Sequence, residues 1–404
     1  MTKYYAGMIS SAVALGFAFS FISQKKPEVM TKQENTYTSS IKLFLCGDVM
    51  TGRGIDQALP SSVDPVLYES YVKDARIYLK LAENENGDID EPVSYDYIWG
   101  DAMEVWKENN PYLKIINLET SITTNEIPWP GKGINYRMHP ENIEVLTIAG
   151  IDHCSLANNH TLDWSRGGLT ETMQTLKAAN IAFSGIGKNK YEAAKASILN
   201  TGKGRVLIFS YGSPNSGIPR SWAAEVTLSG VNYLPDLSEA EINEIKNNVK
   251  SVKNYGDVVV FSVHWGGNWG YKVNDRQIEF AHKLIDEGGV DIIFGHSSHH
   301  PMGIEVYNEK LIIYGAGDFI NDYEGISGHE EYRNELTFMY FPEVNVATEK
   351  LTSLKLVPME MKKFQLNYAV PKDALWLQSI LNREGKKLGT SVRRDNDNNL
   401  WLEW

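Results

Sequence analysis

With 404 residues, 42% of them hydrophobic, the chain can form one large domain with appendages or two domains, and it can bury a sizeable core. A charged share of 22% is that of an ordinary globular protein, and a net charge of -12 argues against a nucleic-acid binder, which would carry a basic balance or patch. A local cationic pocket for an anionic ligand stays compatible with that charge. The only two cysteines, Cys46 and Cys154, lie in apolar runs and read as buried small hydrophobes rather than a disulfide framework.

Residues 4–23 carry no charge, with Lys3 before them and Lys25-Lys26 after, and Ala18-Phe19-Ser20 offers a small-x-small cleavage site. This pattern marks residues 1–23 as a signal peptide or, being just long enough to span a bilayer, a retained N-terminal anchor. The folded part is therefore expected to be exported, periplasmic or otherwise extracytoplasmic. Residues 24–40 are polar and aperiodic and read as a linker.

Beyond the linker, apolar strands recur, each delivering a polar residue at its end. Ile41–Cys46 leads to Gly47-Asp48 and a turn through Thr51-Gly52-Arg53-Gly54. The acidic stretch 83–92 reads as a solvated surface loop. Tyr112–Ile116 delivers Asn117-Leu118-Glu119, and Ile151–Leu156 delivers Asn158-Asn159-His160. After Asp163, the spacing of Leu169, Met173 and Leu176 predicts a helix. Val206–Phe209 is another strand. Ser238 and Glu241 suggest a capping box ahead of a helix buried through Ile242, Ile245, Val249 and Val252. Asp257–Val263 delivers His264-Trp265-Gly266. A helix through Ile278, Ala281, Leu284 and Ile285 then leads to the strand before Gly295-His296. Lys310–Tyr314 ends in Gly315-Ala316-Gly317-Asp318. Residues 361–404 are expected as a small α+β extension, with a helix over Leu375–Leu388 and a hairpin whose turn is Asp395–Asn399. That turn resembles half of an EF-hand loop but lacks its sixth-position glycine.

Asp48, Glu119, Asn159 with His160, His264 and His296 each lie one to three residues past the carboxyl end of an apolar strand. In an α/β sheet such ends converge on one crevice. The stretch Gly295-His296-Ser297-Ser298-His299-His300-Pro301 adds three imidazoles within five positions, although the chain has only 9 histidines. A packed core has little use for such a cluster, whereas neutral imidazole is a common metal ligand. His299-His300 alone would also fit a solvated turn. The mixed oxygen and nitrogen set suits Mn²⁺, Zn²⁺ or Fe²⁺, and its size suggests two ions, which at about 3.5–4 Å apart clamp the attacking and leaving oxygens of an in-line displacement.

The motifs Gly47–Arg53, Asn117–Glu119, Asn158–His160 with Asp163, His264–Gly266 and Gly295-His296-x-x-His299 occur in the order of the poly-γ-glutamate capsule-synthesis (CapA) family, which resembles a branch of the calcineurin-like metallophosphoesterases. The resemblance covers roughly residues 41–345. It implies a four-layer αββα sandwich of two mainly mixed β-sheets over residues 41–360, with a dimetal centre at strand ends. It further implies Asp48 and His299 on the first metal, Glu119 bridging, and Asn159, His264 and His296 on the second. His160 with Asp163 takes the general acid or phosphate-orienting role.

Two departures from the wider superfamily stand out. Asp48 is followed by Val49-Met50 where Asp-x-His is usual, and Glu119 replaces a bridging aspartate. Ala316-Gly317-Asp318-Phe319 adds a carboxylate without an assigned role, and His300 reads as a bystander. Arg53 could receive a phosphate or carboxylate, or be a surface arginine paired with an acid. Trp265, Trp269 and Tyr271 either wall the pocket or pack the core. Three functional readings remain at this point: a metal-dependent hydrolase of a phosphoester or amide at the envelope, a non-catalytic member of a membrane capsule-synthesis complex, and a binding protein for an anionic polymer such as polyglutamate.

Overall fold

Strands that read as unbroken apolar runs, with both faces buried, build the centre of the molecule. The computed structural model describes residues 39–404; the expected signal or anchor over 1–23, and the linker through residue 38, lie outside the described residues. The strands that carry the site are β1 (Ser40–Cys46), β2 (Asp48–Val49), β3 (Leu113–Leu118), β4 (His153–Ser155), β5 (Val258–His264), β6 (Ile292–His296) and β7 (Asp318–Ile320).

In the first sheet β3 lies parallel between β4 on one side and β1–β2 on the other, with Ala182–Ser184 outside β4. β7 pairs in parallel with β2, and Leu336–Asn345 runs antiparallel to β1. Lys350–Lys362 follows, and it crosses the expected boundary at residue 360. The strands Gln365–Tyr368, Ser391–Arg394 and Leu400–Glu403 then extend the same sheet, so the C-terminal segment is continuous with it in hydrogen bonding. Asp395 closes the final hairpin by accepting N–H groups from Asp397 and Asn399 at 3.0 and 2.9 Å, as its sequence suggested. The second sheet orders Ile304–Tyr307, Lys310–Ile313, β6, β5, Arg205–Gly212 and Ser197–Asn200, with a parallel centre and antiparallel edges.

Burial resolves four layers. Leu43, Leu45 and Ile115 from the first sheet interlock with Val206, Val260 and Phe294 from the second. Phe44, Ile116 and Cys154 face the other way, against helices that include Ala102–Asn109 and Ser165–Ala178. Leu207, Phe261 and Ile293 face Glu239–Val252 and Asp275–Asp286. This is the αββα arrangement, built of mixed sheets. Among the described residues no helix is long and apolar enough to cross a membrane.

One local expectation is corrected. The helix Glu239–Val252 starts after Ser238, but the Ser238 side chain makes no cap hydrogen bond; its backbone N–H donates to Asp236 instead. The reciprocal capping box sits at Asn274 and Gln277, ahead of Asp275–Asp286.

Candidate metal centre

Strand register sets the centre. His264 ends β5 and is paired in register with His296 at the end of β6, so both imidazoles leave the second sheet on one face, 6.3 Å apart between ring centroids. Asp48 opens β2 and is in register with Asn117 on β3 and with Asp318 on β7. The glycines before two of these residues, Asp48 and His296, are steric necessities: a Cβ at Gly47 would overlap the Gly317 carbonyl oxygen, and one at Gly295 the Tyr314 carbonyl oxygen. The chain turns sharply after His296, with Ser297 at φ 90°, a strained value for a serine. That turn points the Ser297 N–H at Asp48 Oδ2, 3.2 Å away.

Asp48, Glu119 and His264 are buried and each offers a ligand atom within 4.8 Å of the others. Both ring nitrogens of His264, Nδ1 of His296 and Oδ1 of Asn159 are buried without a hydrogen-bond partner among the described residues. Buried polar atoms are rarely left so, and here two of the residues face the acidic group, His264 at 3.7 Å from Glu119 and His296 at 3.3 Å from Asp48. The donor set therefore fits a divalent ion. Nε2 of His296 is held by Ser262 Oγ at 3.0 Å, which leaves Nδ1 facing Asp48 Oδ1 at 3.3 Å. A ligating imidazole is commonly anchored through its other nitrogen in this way.

Electrostatics agree. Burial, with Asp48 and Asp318 close by, pushes the Glu119 carboxyl well above its usual range. Burial would also raise Asp48, but His296, His264 and the Asn117 amide outweigh it and hold that carboxyl low. Burial drives His264 down to about 3, keeping it a neutral, ligand-competent imidazole.

His160 lies at the edge of this group, with Nε2 3.9 Å from Glu119 Oε1. Its Nδ1 is 2.6 Å from Asp163 Oδ2, and Tyr136 stacks on its ring at 3.8 Å. Burial lowers His160 to about 4, against the pull of Asp163. His299 directs Nδ1 at Asp318, 2.9 and 3.1 Å from the two carboxylate oxygens, and Nε2 at the Asn268 amide, 2.9 Å away. Burial would depress His299, but Asp318 outweighs it and raises the imidazole.

Arg53 departs from the expected anion-binding role. Its guanidinium is buried, 2.9 Å from Glu69 and 3.1 Å from Asp322 Oδ2, and it lies over the Tyr78 ring. Three of its five N–H groups are spent on these two carboxylates, and the side chain is itself buried. His300 is likewise occupied: Nδ1 lies 3.2 Å from the Pro301 carbonyl and Nε2 accepts from the Gly270 N–H at 3.1 Å. Trp265 packs the core and donates to the Tyr314 carbonyl, whereas Trp269 stands 5.2 Å from His299 and Tyr271 4.5 Å from His300.

Three contributors were not singled out in the sequence. Asn117 donates to Asp48 Oδ1 at 2.7 Å and accepts from Asn158 at 3.2 Å, a relay that fixes the Asp48 carboxylate. Lys132, between two glycines on a loop, places Nζ 3.0 Å from Asp163 Oδ1, off the line of a hydrogen bond, and 3.4 Å from His160 Nδ1. Tyr136 is the third. Only Asn117 had a signal, its place two residues before Glu119.

A four-layer αββα fold with a buried Asp/Glu/His group at its strand ends defines an α/β protein of two mixed sheets with a candidate metal centre. More particularly, the chain belongs to the family described as bacterial capsule synthesis protein PGA_cap, whose profile matches residues 42–323. It is 40% identical over 362 residues to a probable polyglutamine synthesis accessory protein of Mycobacterium tuberculosis, covering 89% of this chain and 95% of that one. It is 26% identical to the PGA biosynthesis protein CapA of Bacillus subtilis, over 76% of this chain and 70% of the relative. Among solved structures, a phosphatase of Mycoplasma pneumoniae superposes with a TM-score of 0.46 at 12% identity, covering 80% of this chain and 94% of that one.

Proposed function

We propose that the chain is a metal-dependent hydrolase that acts on an anionic substrate, a phosphoester or polyglutamate itself, in poly-γ-glutamate capsule synthesis or export. One observation carries the reading: unpartnered buried ligand atoms on His264, His296 and Asn159 accompany Asp48 and Glu119, with the His160–Asp163 pair alongside. The relatives' names supply the capsule connection.

Asp48, Glu119, Asn159, His264, His296 and His299 would hold two divalent ions, of manganese, zinc or iron. Bound there, such ions would lend Lewis-acid charge to phosphoryl or carbonyl oxygens. Asn117 and the Ser297 N–H keep the Asp48 carboxylate oriented. His160, its Nδ1 tied to Asp163, presents Nε2 toward Glu119, where it can exchange a proton with a leaving group. Lys132 offsets the Asp163 charge and is the cation nearest this pair.

The test is metal analysis of the purified full-length chain, with assays of phosphodiester hydrolysis and of polyglutamate chain length. His264→Ala should lose bound metal. His160→Asn should keep it and slow turnover by roughly two to four orders of magnitude, the usual weight of an acid–base group. A wild-type chain that binds no divalent metal, or variants matching wild type in metal and rate, would overturn the reading.

A further inference from the structure

Two tyrosines stand against the two histidine–carboxylate pairs of the site, one against each. Tyr136 stacks on His160, and its backbone N–H donates to Asp163 Oδ2 at 2.7 Å, the oxygen that also faces His160 Nδ1. Tyr323 meets the His299 ring roughly at right angles, 5.5 Å away. Its backbone N–H donates to Asn321 Oδ1 at 3.1 Å, and the Asn321 amide in turn holds Asp318, the partner of His299. The two hydroxyls meet 2.9 Å apart, so the pair spans from one histidine to the other. Burial raises both phenols, and the Glu119 carboxylate adds to it in each, which sets the hydroxyls within range of the candidate metal centre.

Proton counting gives the pair a task. Two hydroxyls carry two protons, and the contact between them uses one; no other acceptor among the described residues takes a hydrogen bond from either. Tyr136 is 3% exposed, and a donor so buried is costly to leave unpaired, whereas Tyr323 is partly exposed. Tyr136 thus donates to Tyr323, and Tyr323 keeps its proton for a ligand. A hydroxyl that accepts one hydrogen bond is polarised into a better donor for the next. A phenol is neutral near pH 7, so what it receives there is an acceptor oxygen, such as that of a phosphoryl or carboxylate group.

We propose that Tyr323, oriented by Tyr136, is a substrate-binding hydroxyl of the site, donating a hydrogen bond to an oxygen of the substrate's phosphoryl or carboxylate group. This rests on the hydrolase reading above and adds to it a residue that recognises the anion without holding metal. Tyr136 touches no substrate; it is a positioning residue that acts through the Tyr323 hydroxyl.

The full-length chain, loaded with Mn²⁺, would be titrated by calorimetry with inorganic phosphate and, separately, with γ-glutamylglutamate; the anion that binds tells the two sources apart. Tyr323→Phe removes only the hydroxyl. It should keep its manganese, measured by elemental analysis, and bind that anion roughly 10- to 100-fold more weakly, the weight of a hydrogen bond to a charged group. Tyr136→Phe should weaken binding by a smaller factor and add nothing further in the double variant. A Tyr323→Phe chain that binds the anion as tightly as wild type overturns the proposal while the hydrolase reading stands. One that loses its manganese also overturns it, since the hydroxyl would then support the centre rather than the substrate. A wild type that holds manganese but binds neither anion overturns it as well. If wild type takes no manganese, the hydrolase reading falls, and the same comparison on the metal-free chain decides the role of the hydroxyl by itself.

Discussion

The Arg53 side chain is 2% exposed, and its two partner carboxylates on Glu69 and Asp322 are fully buried. Tyr78 donates its hydroxyl to Glu69, and the Gly54 N–H donates to Asp322 at 2.9 Å, so the acids remain fixed whether or not the guanidinium is there. Removing the cation leaves two buried charges without compensation, which costs far more than a surface pair would. Arg53→Met should therefore lower the free energy of unfolding by about 3–5 kcal/mol, read from urea denaturation at neutral pH. Its effect on anion affinity, measured on the folded fraction, should be negligible. A variant as stable as wild type but weakened in anion binding would restore the substrate role. From sequence the two roles cannot be told apart, because the partners Glu69 and Asp322 are 16 and 269 positions away.

At the scale of elements, the strand ends were the readable part. Parallel strands buried on both faces spell themselves as runs such as Val258–Val263, and a polar residue just past such a run has few places to go but the crevice. That logic reached Asp48, Glu119, Asn159, His264 and His296. It could not give Asp318 a role, because β7 is three residues long and its meaning comes from lying beside β2. Lys132 was hidden for a different reason: its place depends on the path of a loop without periodicity, whose Trp129 N–H is tied to the Asp163 carbonyl. The close approach of β2 to Gly317 is a further element-level constraint. Gly47→Ala forces the Asp48 and Asp318 strands apart, so it should destabilise by about 1–3 kcal/mol and reduce bound metal at the same time. Thermal unfolding and elemental analysis of one preparation check both; full metal content with an unchanged melting temperature would show that the strands can yield without disturbing the ligands.

The two sheets are joined by more than apolar contact. His153 Nε2 lies 3.0 Å from Ser184 Oγ, Ser184 Oγ lies 2.7 Å from Ser210 Oγ, and Ser210 donates to Ser155 Oγ at 3.1 Å. Three of these residues belong to the first sheet and Ser210 to the second, so a buried chain of hydroxyls crosses the interface and ends on an imidazole. His153 is 0% exposed, and burial drives it from 6.5 down to about 3. The unfolded chain thus binds a proton at this site more readily than the native one. The stability held by the neutral imidazole is complete above pH 6.5 and is lost progressively as the pH falls toward 3. From pH 7 to pH 5 that loss comes to about 2 kcal/mol, at about 1.4 kcal/mol per pH unit inside the window. His153→Gln keeps a side chain able to bond Ser184 but does not titrate. Its unfolding free energy should fall about 2 kcal/mol less than that of wild type between those two pH values, whatever its absolute stability at pH 7. Urea unfolding of both proteins at each pH measures the difference, and equal slopes would mean that acid reaches the fold through other groups and leaves the joint between the sheets intact.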